Sequence, residues 1–247
     1  MTPRREFAET RVPATVGRTQ PVGNWRLGRM MRNPWLEIPL ADYEAHMALP
    51  TIGQSRLIAD QLDAVVARLS PRSIAIIGCA GGNGLDGLAG ANVDRVVGVD
   101  IHPGYVDEAR RRYEGRIPGL ELYVADIQDA PSLFEPVDLL YVALVLEYVD
   151  VDRAMNVLWQ HCKPDGVLAV VSQLPHEKIA EVSPSPYASL AKLAPVMHLV
   201  APEELRLRAQ RAGFHPSQSD ILFSPAGKRF SLDIFRRGDG PRRIAEL

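Results

Sequence analysis

"SIAIIGCAGGNGLDGL", Ser73–Leu88, decides how the rest of the chain is read. It opens as an uninterrupted apolar run, the pattern of a strand covered on both faces. Gly78 closes the run, and Gly81, Gly82, Gly84 and Gly87 follow before a helical period begins. Glycine has no Cβ, so a turn of this kind lets backbone approach a ligand closely. The chemistry of that ligand is the question the stretch raises.

Four further apolar runs lie downstream: "RVVGVD" (95–100), "LELYVAD" (120–126), "VDLLYVAL" (137–144) and "VLAVVSQL" (167–174). Helical periods fall between them near 83–90, 103–115 and 151–162, and an amphipathic helix carrying Ile58, Leu62, Val65, Val66 and Leu69 comes before. Buried strands alternating with helices predict an α/β fold with a doubly wound, mostly parallel sheet. Toward the C-terminus, "APEELRLRAQRAGF" has helix ends at Pro202 and Gly213. The alternation in "KRFSLDIFRR", after "SQSDILF" and a "SPAG" turn, predicts a hairpin and an antiparallel last strand.

The chain has 247 residues, 46% of them hydrophobic and 23% charged, which suits one globular domain with an extension. A net charge of −2 gives no argument for a nucleic-acid partner. Seven arginines against two glutamates stand in residues 1–32, a basic arm expected to be flexible. Residues 33–70 read as an N-terminal cap and first helix, 71–238 as the ligand-binding domain, and 239–247 as a tail. An insertion at 175–200 follows a strand's carboxyl end, where long connections form substrate walls. Cys79 and Cys162 are too few for a disulfide framework. The opening "MTPRREFAET" has no apolar core, and the apolar run at 139–146 is far short of a span, so a soluble, cytoplasmic protein is expected.

Three ligands compete for the glycine turn. A P-loop needs a lysine to reach its phosphates, and none lies between 73 and 88. The dinucleotide fingerprint G-x-G-x-x-G occurs as Gly82, Gly84 and Gly87, but Gly82 comes too late after the strand. The third candidate rests on order and spacing. "IIGCAGGNG", then "VVGVDIHPGYVDEAR", then "LYVADIQDA", with "CKPDGVLAVVSQ" and the terminal hairpin, resembles the class I S-adenosylmethionine-dependent methyltransferases over residues 50–237.

That resemblance implies a seven-stranded sheet with its last strand antiparallel, and S-adenosylmethionine as cofactor. It implies that Gly78, Ala80 and Gly82 line the methionyl and ribose portion and that Asp100 accepts both ribose hydroxyls. Asp126 would accept the adenine amino group, with the Ile127 backbone and the Ile101 side chain framing the ring. A cofactor without phosphate agrees with a turn that lacks basic side chains, and a carboxylate has the acceptor capacity a diol requires. The chain departs from the family at Ile76, where an acid commonly contacts the cofactor's amino group. Asp86 or a backbone carbonyl near Ala143 is left to substitute.

Methyl transfer is a displacement from an activated donor, so alignment and desolvation supply much of the rate. No [DN]-P-P-[FY] tetrapeptide of amino-DNA methylases follows the fourth apolar run, and Cys162 lacks the preceding proline of a cytosine-C5 nucleophile. Asp150 and Asp152 read as helix-capping acids beside Glu147, so no metal is expected. "LVLEYVD" resembles a segment of small-molecule methyltransferases, with Tyr148 where histidine is frequent. A small-molecule acceptor is therefore expected, with Tyr43, His46, Glu147, Tyr148, His176, Tyr187 and His198 on the substrate side. His176, Tyr187 and Glu147 are the catalytic candidates. The alternatives are an RNA or protein acceptor docked on the arginine-rich arm, and a non-catalytic binding protein on the same scaffold.

Overall fold

The computed structural model describes residues 33–175, 183–225 and 227–240. The arm called over 1–32, His176 and residues 241–247 of the tail lie outside the described residues. Seven strands form one sheet: β1 (Ser73–Ile77), β2 (Arg95–Asp100), β3 (Leu120–Val124), β4 (Val137–Ala143), β5 (Cys162–Gln173), β6 (Phe214–Phe223) and β7 (Arg229–Arg237). Their order is β3-β2-β1-β4-β5-β7-β6. β1 to β5 pair in parallel, and β7 runs antiparallel to both β5 and β6. The doubly wound sheet with an antiparallel last strand is as expected.

Every residue of β1 is buried, because helices cover both faces of the sheet. On one face Ala75, Ile77, Val97, Val99, Leu140 and Val142 pack with α5 (Val151–His161) and α6 (Pro202–Arg211). On the other, Ile74, Ile76, Val96, Leu139 and Tyr141 meet α2 (Gln54–Leu69), α3 (Leu85–Leu88) and Tyr113. Tyr113 ends α4 (Pro103–Tyr113), and α1 (Leu40–Ala48) stands above the glycine turn. The period-2 alternation of side chains splits each strand between the two layers, which is why these runs carry no polar face.

Three boundaries differ from the sequence expectation. The helix after the glycine turn is a single turn, Leu85–Leu88, entered from Gly84 at φ +80. β3 stops at Val124 because the Asp126 side chain accepts from Gln128 N and starts the short helix Ile127–Asp129. β5 begins at Cys162; its K-P-D-G segment is absorbed by a register shift between the pairs Val137–Cys162 and Leu139–Val167. Asp150 caps α5 by accepting from Arg153 N, as its position suggested.

β1 has β2 on one side and β4 on the other, so the strand order reverses at β1. Open α/β sheets leave a crevice at the carboxyl ends of the strands flanking such a point. Among the described residues no helix is long and apolar enough to cross a membrane.

Candidate functional site

A cavity opens at that crevice, the place where open α/β sheets bind small molecules. Its floor is made from strand ends: Ile77 of β1 with Gly78 after it, Val99 and Asp100 of β2, Ala143 of β4 with Leu144 after it. The turn after β1 is tied down by backbone, Gly78 N and Cys79 N both donating to Val99 O. Ala80 and Leu144 hold φ of +46 and +56, left-handed values costly for residues with a Cβ, and both face the cavity.

Asp100 joins the turn to the second strand. Its Oδ2 accepts from Ala80 N at 2.9 Å and its Oδ1 from His102 N at 2.9 Å. Burial pushes its carboxyl up to about 6, against the pull of these backbone N–H groups. A carboxylate has about four acceptor positions, so each oxygen keeps one for a ligand. Asp126 lies in the wall with Ala125 and Ile127. The Gln128 amide donates to both Asp126 oxygens, at 3.0 and 2.9 Å, so the turn reading and the ligand reading describe one carboxylate.

No lysine, arginine or histidine lines this cavity among the described residues. Two carboxylates without a cation disfavour a pyrophosphate and suit a hydroxyl- and amine-bearing nucleoside. S-adenosylmethionine meets that requirement, since its adenosyl portion offers donors and carries no phosphate.

Of the residues expected at the cofactor, Gly78, Ala80, Asp100, Ile101, Asp126, Ile127 and Ala143 all line the cavity. Gly82 does not. A Cβ there would sit 2.1 Å from the Tyr113 ring, and its φ is +110. It is a packing glycine that lets α4 close on the turn. The other two members of the apparent fingerprint behave alike, since a Cβ on Gly84 would strike Leu62 and one on Gly87 would strike Asp63. Asp86 does not replace the missing acid either. It accepts from the Tyr113 hydroxyl at 2.9 Å and pairs with Arg116. Ile76 is core, 3% exposed on the α2 side of the sheet.

A second cavity of about 590 Å³ lies against the cap. It shares Trp35, Tyr43, Leu144 and Tyr148 with the strand-end cavity, so these residues, the neck, stand between the two. Trp35 stands edge-on to Tyr43 at 5.7 Å and to Tyr148 at 5.0 Å. Asn83 Nδ2 donates to the Tyr43 hydroxyl and fixes that ring over the turn. Beyond the neck are His46, Gln54, Glu147, Gln173 and Lys228 with apolar Met47, Leu190 and Leu193.

Glu147 is 1% exposed. Its Oε1 accepts from Gln173 N at 2.8 Å, and Oε2 has no hydrogen-bond partner. Burial pushes this carboxyl up to about 7. His46 Nδ1 is also without a partner; burial, and next the charge of Lys228, hold its pKa below the ordinary value. Lys228 Nζ donates to Gln173 Oε1 at 3.2 Å.

Tyr43, His46, Glu147 and Tyr148 are thus brought together as expected. Two others are not. Tyr187 precedes the short helix Ala188–Val196 and packs on Ile38, Leu190 and Leu193, lining neither cavity. His198 faces a separate groove beside Asp150 and Arg208, its backbone N donating to Glu147 O. Residues the sequence did not single out include Trp35, Leu144, Gln173 and Lys228. Only Trp35 left a signal, as an aromatic in a proline-punctuated segment that needed something to pack against.

Residues 76–170 match the family model described as "Methyltransferase domain". No curated protein matches the chain. Among solved structures, the N-methyltransferase NodS from Bradyrhizobium japonicum WM9, in complex with S-adenosyl-L-homocysteine, is similar at a TM-score of 0.59 and 19% identity, covering 85% of this chain and 97% of that one. The [4+2]-cyclase SpnF is similar at 0.58 and 16% identity, covering 73% and 81%. The magnesium protoporphyrin IX methyltransferase ChlM from Synechocystis PCC 6803, with bound S-adenosylmethionine, is similar at 0.55 and 15% identity, covering 75% and 80%. At these identities the likeness is one of fold, and one of the three is a cyclase, so the reaction has to be argued from the site.

Proposed function

We propose that the chain, whose residues 76–170 match a methyltransferase domain, uses S-adenosylmethionine to methylate a small molecule held in the cap cavity. The observation that carries the reading is a pair of adjacent cavities that share Trp35, Tyr43, Leu144 and Tyr148 in their linings. One has the donor-seeking carboxylates of a nucleoside site. The other is lined by polar and apolar side chains and suits an acceptor of metabolite size.

When bound, S-adenosylmethionine supplies an activated methyl group on a sulfonium. The residues bind, orient and exclude water. Asp100 accepts ribose hydroxyls while its bonds to Ala80 N and His102 N hold the turn in place. Asp126 accepts the adenine amino group, with Ile101 and the Ile127 backbone against the ring. Gly78 and Ala80 keep backbone close to the ligand, and the aromatic neck limits water between the two sites. With Ile76 in the core and Asp86 engaged by Tyr113, the backbone carbonyl near Ala143 is the substitute for the family's usual acid.

Calorimetry with S-adenosylhomocysteine tests the first half, with one site expected; no heat from either the donor or its demethylated product would overturn it. Incubation of a cell extract with the protein and methyl-labelled S-adenosylmethionine, followed by ultrafiltration, tests the second. A labelled low-mass product that chromatography resolves from unreacted S-adenosylmethionine, absent when the protein is left out, is expected, whereas label retained on RNA or protein would favour a macromolecular acceptor.

A further inference from the structure

We infer that the acceptor is an amine, taken into the cap cavity with an N–H on Glu147 Oε2 and its nitrogen against the rings of Trp35, Tyr43 and Tyr148. The inference rests on the methyltransferase reading above and deepens it. Glu147 is the only acid lining that cavity among the described residues. Its rotamer is set by one bond, from Gln173 N to Oε1. The other oxygen is buried with no donor, an arrangement that costs free energy unless a ligand supplies one. Tyr148, which follows Glu147 in the chain, lines both cavities, whereas Glu147 lines the cap cavity alone.

The neck has its own preference. Trp35 packs edge-to-face with both tyrosines, and the electron-rich faces of such rings attract cations and bind alkylammonium groups well. A buried carboxylate beside three aromatic rings discriminates among acceptor classes. A carboxylic acid acceptor would bring a second negative charge next to Glu147. An alcohol offers a donor but no positive charge, and its proton is far too weakly acidic for a carboxylate to remove. An alkyl amine arrives as an ammonium ion, favoured by both the rings and the acid and opposed by the Lys228 ammonium of the same cavity, which Gln173 Oε1 holds at 3.2 Å.

The proton then has a defined place. The ammonium N–H bond breaks with its electron pair left on nitrogen, and an O–H bond forms at Glu147 Oε2. A charged pair becomes a neutral amine and a neutral carboxylic acid, and the nitrogen gains the lone pair a nucleophile requires. Burial favours this direction, since it already holds the Glu147 carboxyl near 7. His46, with Nδ1 unpartnered on the same cavity wall, is placed to bond the remainder of the acceptor.

The test is a binding measurement on the full chain saturated with S-adenosylhomocysteine. Calorimetric titrations with benzylamine and phenethylamine are compared with benzyl alcohol, 2-phenylethanol and benzoate. The amines are expected to bind at least tenfold more tightly than the alcohols and the acid. E147Q should retain S-adenosylhomocysteine binding and lose the preference for amines, and Trp35→Leu should weaken the amines selectively. Equal binding of alcohols or benzoate, no amine binding to the loaded protein, or an unchanged preference in E147Q would overturn the amine assignment and leave the methyltransferase reading intact. Failure of wild-type protein to take up S-adenosylhomocysteine would instead sink that reading itself.

Discussion

The amide of Ala80 donates to Asp100 Oδ2 at 2.9 Å, so the turn after β1 and the end of β2 are one hydrogen-bonded unit. The same carboxylate that is proposed to hold the ribose also sets the shape of the turn beneath it. Asp100→Asn breaks both functions, because an amide presents one acceptor and one donor to the two backbone N–H groups of Ala80 and His102. The expected result is a loss of S-adenosylhomocysteine affinity of about 100-fold, or roughly 3 kcal/mol, measured by calorimetry. Wild-type affinity in the variant would remove Asp100 from the site.

Asp100 also predicts a pH dependence. Its carboxyl is pushed up to about 6 in the free protein, first by burial. A bound diol donates to the ionised form and is lost when that form is protonated. Affinity for S-adenosylhomocysteine should therefore be level above about pH 7 and fall as pH drops through 6. In Asp100→Asn the remaining affinity should lose that inflection. Titrations at pH 5, 6, 7 and 8 decide it, and an affinity that rises on acidification would contradict the assignment.

Gly82 makes a different prediction, because it stands in the signature yet does not line the strand-end cavity, and a Cβ there would point at Tyr113. Gly82→Ala places a methyl group into the Tyr113 ring at a φ of +110. Overpacking of this kind costs about 1–3 kcal/mol, and the left-handed backbone adds to it. The variant should unfold at lower urea concentration, while its folded fraction binds S-adenosylhomocysteine within a few-fold of wild type. Tyr113→Ala combined with Gly82→Ala should cost less than the two single changes together. A large affinity loss at unchanged stability would return Gly82 to the cofactor site.

The contrast between Asp100 and Gly82 marks how far the sequence reaches. β1, β2 and β4 were legible because strands covered on both faces must be apolar throughout, and chain order then placed Asp100 and Asp126 at the same edge. The glycines were visible as glycines, but the direction in which a Cβ would point depends on Tyr113, Leu62 and Asp63, which arrive from other helices. The cap cavity was less legible still. It is assembled by Trp35, Glu147, Gln173 and Lys228, distant in sequence, and Lys228 follows a "SPAG" turn that reads as solvent-facing although the residue is 4% exposed. Periodicity reports the face a residue takes, not the partner that meets it there. The packing of Tyr187 was hidden for the same reason, since its neighbours Ile38, Leu190 and Leu193 come from two separate segments.

Glu147 carries the last prediction, which reads its burial through stability. Its carboxyl ionises near 4.5 as an ordinary glutamate and at about 7 in the fold, with desolvation the largest cause. Between those values the folded state holds a proton that the unfolded chain has released. Stability therefore falls as pH rises from about 4.5 to 7 and stays level above, the acid being penalised once it must ionise. A shift of this size corresponds to about 3 kcal/mol. The groups that share its cavity, His46, Tyr148 and Lys228, are unchanged in Glu147→Gln, so the difference between the two proteins isolates the one carboxyl. Urea unfolding should show E147Q gaining about 2.5 kcal/mol on wild type between pH 5 and pH 8. A difference that is the same at both pH values would mean that Glu147 keeps an ordinary carboxyl, and the unpaired oxygen at Oε2 would then have no cost for an amine to relieve.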